Sequence, residues 1–318
     1  MMDKLPKVKE FEFAEVTNSA RSTFTNCRKK FYWQYICRLT PNMTAKALMI
    51  GSLFHAALET IYKELSYNKE EMDLTLDKGV EEKVNECSTP EESDILWNQA
   101  ALIKALVEGY AKHYLVQDKK TWKILAPETT FAFPLKCGWM NRGMRDLLIT
   151  RNGKLGLVEH KTTTILDANY LAKLPMDSQI LSYAISCKRE KTIGKYPDFI
   201  VYNVARKAQI RQKQSENSQQ FHARMRDEYL MNPTAYFYRE VLSFSKADLE
   251  AYEDDLEHFA QEMQRSIKEH YYYCNYGACT QWGTCPYMQL CQAKKVTTFN
   301  EALMSYRVKE VAHEELEA

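Results

Sequence analysis

The sequence predicts an α/β domain, and three observations carry that prediction. Two short apolar runs, residues 143–149 and 155–161, flank Asn152-Gly153, the strongest short-range hairpin signal a sequence offers. Further strand-like runs at 127–135, 196–204 and 236–244 alternate with stretches of helical periodicity. Four of the nine cysteines crowd into residues 274–291, a concentration that points to metal binding.

Composition bounds the rest. The chain has 318 residues, 45% hydrophobic and 27% charged, which is the profile of a soluble globular protein. A formal net charge of +1 excludes a globally basic nucleic-acid binder, though not a local basic groove. There is no apolar run of about 18 residues or more, and residues 1–10 are too polar for a signal peptide. The expectation is therefore a cytoplasmic protein with no membrane partner. Nine cysteines, an odd number, do not read as a disulfide framework in a reducing compartment. No internal repeat is present.

With Asn152 and Gly153 as the turn residues, Ile149 faces Gly156, Leu148 faces Leu157, and Asp146 faces Glu159. The two carboxylates then share a face with Cβ atoms about 4.5–5.5 Å apart. Lys161, two residues beyond Glu159, returns to that face roughly 6.5 Å along the strand. Like charges placed opposite each other destabilise a sheet, and a divalent cation between them resolves the conflict. Oxygen ligands of this kind suit Mg²⁺ or Mn²⁺. The Lys161 ammonium would orient or deprotonate a water, or hold a phosphate. A solvated face carrying a surface ion pair fits the same residues.

Along the chain, residues 17–39 read as a Ser/Thr-capped helix entering an aromatic stripe of Phe24, Phe31 and Tyr35. Cys27 precedes Phe31 by one turn, beside Arg28, Lys29 and Lys30, and taken singly reads as a small buried hydrophobe. In residues 47–62, Ser52 is expected to cap a helix whose apolar face includes Leu53, Ala57, Leu58 and Ile61. His55 and Glu59 share a face of that helix at i, i+4. A lone helical histidine is a structural residue as readily as a ligand, yet imidazole suits a Mn²⁺ site that already has two carboxylates. Residues 66–98 read as polar helices with a loop about 88–90, and residues 100–116 as a purely structural helix. Glu128 either faces the same site, the reading favoured here, or merely starts the strand that leads to the hairpin. Residues 175–178 cap a helix on which Gln179 and Tyr183 share a face. Residues 207–220 are polar and lack periodicity beyond Ile210, which suits a nucleic-acid-facing flap and an ordinary solvated loop equally. Ser245 and Asp248 resemble a capping box at the start of a long amphipathic helix that runs to about residue 270.

The cysteine spacings 274–279–285–291 are C-x4-C-x5-C-x5-C, with glycines that let the backbone turn and no histidine among them. Zinc favours shorter knuckles. Iron–sulfur clusters also take four thiolates and tolerate irregular spacing.

Taken in order, Cys27 in Cys-Arg-Lys-Lys-Phe-Tyr, Gly51-x3-His55, Gly143-x2-Asp146, Glu159-x-Lys161, Gln179-x3-Tyr183 and the terminal cysteines form one pattern. It resembles the PD-(D/E)XK nuclease superfamily, specifically RecB-like nucleases with an iron–sulfur staple, a group that includes AddB nuclease domains and CRISPR adaptation exonucleases. The resemblance runs from about residue 20 to 292. It implies a restriction-endonuclease-like fold, a mixed central sheet flanked by helices, in a single domain over 1–318. Within it, 17–118 would be a helical part, 125–244 the catalytic sheet core, 245–292 a long helix with the cysteine motif, and 293–318 an acidic tail. The resemblance further implies that His55, Asp146, Glu159 and the backbone carbonyl of His160 hold Mg²⁺ or Mn²⁺. Lys161 would be the catalytic lysine, with Gln179 and Tyr183 positioning the strand or the site. A 4Fe–4S cluster would be held by Cys27, Cys279, Cys285 and Cys291. Family members often show C-x2-C before the last C-x5-C, whereas this chain has C-x5-C there, so Cys274 is a spare and the choice of four stays open.

The expected activity is metal-dependent hydrolysis of DNA, exonucleolytic and on single strands or duplex ends, in recombination, repair or phage replication of a prokaryote or phage. Lys29, Lys30, Lys207 and Arg211 would contact phosphates. A second reading keeps the fold but makes the chain a DNA-end-binding partner of a helicase or recombinase, its nuclease subordinate or silent. The full set of Asp146, Glu159 and Lys161 argues against silence. A zinc-ribbon scaffold would explain the cysteines and not the carboxylate hairpin.

Overall fold

The Asn152-Gly153 turn forms with both residues at positive φ, 54° and 76°, the conformation that a two-residue hairpin loop demands. It joins strands Met140–Arg151 and Lys154–Thr163 in the expected register, Ile149 on Gly156 and Leu148 on Leu157. Strand Lys154–Thr163 pairs in parallel with Phe199–Arg206, which pairs antiparallel with Phe237–Leu242. Strand Lys123–Pro134 lies on the other side of the hairpin. The result is a mixed sheet. This computed structural model describes residues 6–42, 46–85, 90–281, 283–313 and 316, with the backbone alone at 46–49 and 90–92. The chain gathers into two units, one of residues 1–42, 130–143 and 250–318 and one of residues 43–129 and 144–249.

The second unit holds the candidate site. Helices Lys46–Glu64, Pro90–Thr121 and Ser218–Met231 share one apolar core with the sheet, where Phe54, Ile61, Leu106 and Tyr229 meet Leu147, Val158 and Val201. Helix Ser178–Arg189 packs against strand Lys154–Thr163. Strand Phe199–Arg206 is buried at every position but its last, so it reads as a continuous apolar run rather than an alternating one.

The first unit brings early and late segments of the chain together. Thr17 caps helix Asn18–Asn26 by accepting the Ala20 N–H at 3.1 Å. The helix expected over 17–39 is not continuous. The backbone turns extended at Cys27 (φ −159°, ψ 112°), resumes over Arg28–Phe31, and tightens into a π-helical turn over Tyr32–Ile36. Strand Leu39–Pro41 pairs antiparallel with Tyr306–Val308. A small core of Trp33, Cys37, Leu39, Tyr287, Leu290 and Phe299 lies beneath.

Several expectations are corrected. Ser52 is no cap, because its helix already starts at Lys46. The helix expected over 100–116 runs from Pro90 to Thr121. Of the loop expected at 88–90, residues 88 and 89 lie outside the described residues. Helix Ser218–Met231, begun by a capping box of Asn217 and Gln220, starts at the end of the polar stretch 207–220 and runs on through residues for which no helix was expected. Its buried face is only Phe221, Met225 and Tyr229, a stripe too thin to stand out of a polar sequence. Ser245 and Asp248 do cap helix Lys246–Lys268, each side chain bonding the other's backbone N–H. Among the described residues, no helix is long and apolar enough to cross a membrane.

Candidate active site

The hairpin ladder stops at Leu147 and Val158, so Asp146 and Glu159 are not the ladder pair expected of them. Instead the Asp146 carboxylate supplies the missing acceptor, taking the His160 N–H on Oδ2 at 2.7 Å. Its other oxygen lies 3.4 Å from His55 Nδ1, brought in by helix Lys46–Glu64. Burial pushes the Asp146 carboxyl up, but His55 and then the positive charge of Lys161 outweigh it and hold the group well below its ordinary range. His55 is raised in return: burial opposes its charged form, and Asp146 overrides that.

Glu159 has no exposed surface at all and meets Lys161 as an ion pair at 2.5 Å. Neither of its oxygens has a well-directed hydrogen bond among the described residues. Burial, then repulsion from Asp146, push its carboxyl up to about 8. Lys161 is held above the ordinary ammonium value: burial pulls it down, and Glu159 and Asp146 more than restore it. It is therefore a charged group at neutral pH. Its Nζ donates to Gln179 Oε1 at 2.6 Å, and Gln179 Nε2 donates to the Tyr183 hydroxyl at 2.6 Å. Asp177 caps the helix that carries both, accepting the Gln179 N–H at 2.8 Å. Glu159, two residues away on the strand, and Gln179 on the helix thus meet at one ammonium, and Tyr183 reaches it only through Gln179.

Glu128 stands beside this group with φ +30°, unusual for a non-glycine residue. It lines a small cavity of about 10 Å³ together with His55, Glu59, Tyr62, Asp146 and His160. Burial, then Glu59 and Asp146, raise its carboxyl. Glu59 is tied to Lys63 at 2.5 Å. Sequence reading placed Glu128 near the site and missed Tyr62, which has no local signal beyond its place on the apolar helix face.

Two carboxylates and an imidazole are the donor set that Mg²⁺ or Mn²⁺ accepts, and the unsatisfied oxygens of a fully buried Glu159 fit such an ion. Among the described residues, no three His, Cys, Asp or Glu side chains close around a point as a finished cage. The donor chemistry fits, with the Lys161 ammonium as the positive charge beside Glu159.

The cysteines expected to hold a cluster lie in the first unit. Cys27, Cys279 and Cys285 line a cavity of about 90 Å³ that Lys30 and Asn275 also line. Cys27 Sγ accepts the Asn275 N–H at 3.4 Å, and Cys291 Sγ accepts the Trp33 indole N–H at 3.4 Å. Cys274, read above as a spare, lies against Cys291, whose thiol burial raises to about 11 against the pull of Trp33. Burial, then the neighbouring Cys285, Cys27 and Cys274, raise the Cys279 thiol.

The residues expected to contact phosphates divide. Arg211 is exposed, and Lys29 lies over the Tyr32 and Trp33 rings at 4.2 and 4.5 Å. Lys207 is only 9% exposed, its N–H donates to Thr163, and burial lowers its ammonium. It follows strand Phe199–Arg206 directly and is buried, which removes it from a phosphate-facing set.

A mixed sheet that presents a buried carboxylate, a half-buried one and a lysine from one hairpin is an arrangement suited to phosphodiester hydrolysis. Residues 15–292 match the model of the PD-(D/E)XK nuclease superfamily, and the chain belongs to that superfamily. Its members are nuclease hydrolases that typically use Mg²⁺ or Mn²⁺, and a nuclease of this kind binds DNA. No curated protein matches the chain.

Proposed function

We propose that the chain is a metal-dependent deoxyribonuclease of the RecB/AddB-like kind, working as an exonuclease on DNA ends or single strands. The observation that carries this reading is Glu159, a fully buried carboxylate without well-directed hydrogen bonds, set beside Asp146 and Lys161. His55, Asp146, Glu159 and the His160 carbonyl would hold Mg²⁺ or Mn²⁺. When bound, the ion supplies positive charge to the phosphoryl oxygen and acidifies a water. Lys161 stays protonated and orients the attacking water while neutralising charge that builds on the phosphate. Gln179 fixes the Lys161 ammonium from one side, and Tyr183 fixes Gln179. Lys29, Lys30 and Arg211 would meet the DNA backbone.

The cysteines support a 4Fe–4S cluster on Cys27, Cys279, Cys285 and Cys291. Three of them share a cavity, and two sulfurs already accept N–H donors of the kind that stabilise thiolates. The functional test is digestion of end-labelled linear and closed circular DNA with Mg²⁺ or Mn²⁺, by the parent and by Lys161→Ala. Linear DNA should be degraded from its ends and the circle spared. Lys161→Ala should lose on the order of 10²–10⁴-fold in rate. A Lys161→Ala chain as fast as its parent would remove the catalytic lysine and the nuclease reading with it.

A further inference from the structure

Behind the site, His160, Asn203 and Arg239 form one row across three neighbouring strands, each the ladder partner of the next. Arg239 donates Nη1 and Nη2 to Asp118 Oδ1 and Oδ2 at 2.5 and 2.9 Å, and Nε to Asn203 Oδ1 at 2.6 Å. A guanidinium has only donors, so the Asn203 amide has one orientation: Oδ1 accepts, and Nδ2 donates to His160 Nδ1 at 3.3 Å. Nδ1 is thereby an acceptor, and a neutral ring carries its proton on Nε2. The Tyr110 hydroxyl is also 3.3 Å from Nδ1. Tyr62 stacks on the ring at 5.4 Å and donates its hydroxyl to Asp118 Oδ2 at 2.8 Å. Asp118, Asn203 and His160 are all buried, at 0%, 1% and 2% exposure.

This network is a poor way to gain stability. A buried ion pair is often no better than apolar residues of the same volume, so its presence asks for another reason. That reason is the His160 peptide, whose N–H holds Asp146 Oδ2 at 2.7 Å. We propose that Asp118, Arg239 and Asn203 are positioning residues that lock the His160 side chain, so that its peptide holds Asp146 and presents its carbonyl to the metal ion. The inference rests on the nuclease reading above. Helices Lys46–Glu64 and Pro90–Thr121, which supply Tyr62, Tyr110 and Asp118, thereby set the geometry of a site to which their hydroxyls and carboxylate give no ligand.

Two variants of the full chain test this. Asn203→Ala cuts the link between the ion pair and His160, and the double variant Asp118→Leu with Arg239→Met replaces the pair by apolar groups. Mn²⁺ binding is measured by titration calorimetry without DNA, thermal unfolding and DNA binding in EDTA. Both variants should bind Mn²⁺ about 10–100-fold more weakly, the cost usual for removing a group that orients a ligand. DNA binding in EDTA should be unchanged. A folded Asn203→Ala chain that binds Mn²⁺ as tightly as the parent overturns the positioning role, even if it unfolds at a lower temperature. That variant decides alone if the double variant does not fold. A parent that binds no Mn²⁺ overturns the nuclease reading and this inference together.

Discussion

Glu159 carries the clearest consequence of a single residue's surroundings. Its carboxyl is pushed from an ordinary 4.5 to about 8, so between these values the folded, metal-free chain keeps a proton that the unfolded chain has released. The contribution of this group to stability is complete below the unfolded value and is lost as pH rises through the folded one. His160, held near 3 by burial against an ordinary 6.5, runs the other way over its own range, and a difference measurement separates the two. In EDTA, the unfolding temperature of the parent should fall relative to that of Glu159→Gln between pH 5 and pH 8. Mn²⁺ binding near pH 7 should expel about one proton, read as a binding heat that changes with the ionisation enthalpy of the buffer. Parallel pH profiles for the two chains would show that Glu159 is an ordinary carboxylate. The candidate residues themselves were legible one by one: a carboxylate pair and a lysine beside Asn152-Gly153 announce their chemistry. Their protonation was not, because it depends on burial beneath elements distant in sequence and on the charges of Asp146 and Lys161 that this burial leaves unscreened.

At the scale of elements, Gly109 shows how a helix is chosen for its neighbour. A Cβ at this position of helix Pro90–Thr121 would stand 2.8 Å from Tyr229 Cβ and 3.0 Å from the Phe237 ring. Alanine is the better helix former by roughly 1 kcal/mol in isolation. Gly109→Ala should nevertheless destabilise the chain by about 1–3 kcal/mol, because the Cβ of Tyr229 is fixed to backbone and cannot swing aside. Urea unfolding measures this, and a stabilised variant would mean the two helices separate freely. The hairpin was readable because its turn needs two positive-φ residues and a short apolar run stands on either side of it. Helix Ser218–Met231 was not, since only Phe221, Met225 and Tyr229 of its fourteen residues are buried, and that stripe gives little signal until the Pro90–Thr121 helix is there to receive it.

Over the whole chain, the most informative residue is Cys27, separated from its cysteine neighbours by most of the sequence and lining one cavity with Cys279 and Cys285. If a cluster bridges them, it closes a very long loop, and a cross-link of that length contributes on the order of 5–6 kcal/mol in the chain-entropy picture. Cys27→Ser, purified without oxygen, should lose its iron and its brown colour and unfold at a lower temperature. Cys274→Ser should keep its iron. Full iron content in the Cys27 variant would sink the assignment, and iron lost only from the Cys274 variant would exchange that residue for one of the four.

The sequence alone determined what depends on neighbours in the chain: the turn at Asn152-Gly153, the register of its strands, and the presence of Asp146, Glu159, Lys161, Gln179 and Tyr183 at spacings that put them on common faces. It also determined the cysteine-rich terminus by simple crowding. Only the tertiary structure decided that the ladder ends one residue short of Asp146, that Lys207 is buried, and that Asp118 and Arg239 stand behind His160. Periodicity states which face a side chain takes. What that face meets is set by the packing of segments distant in sequence, and there burial and charge decide each group's role.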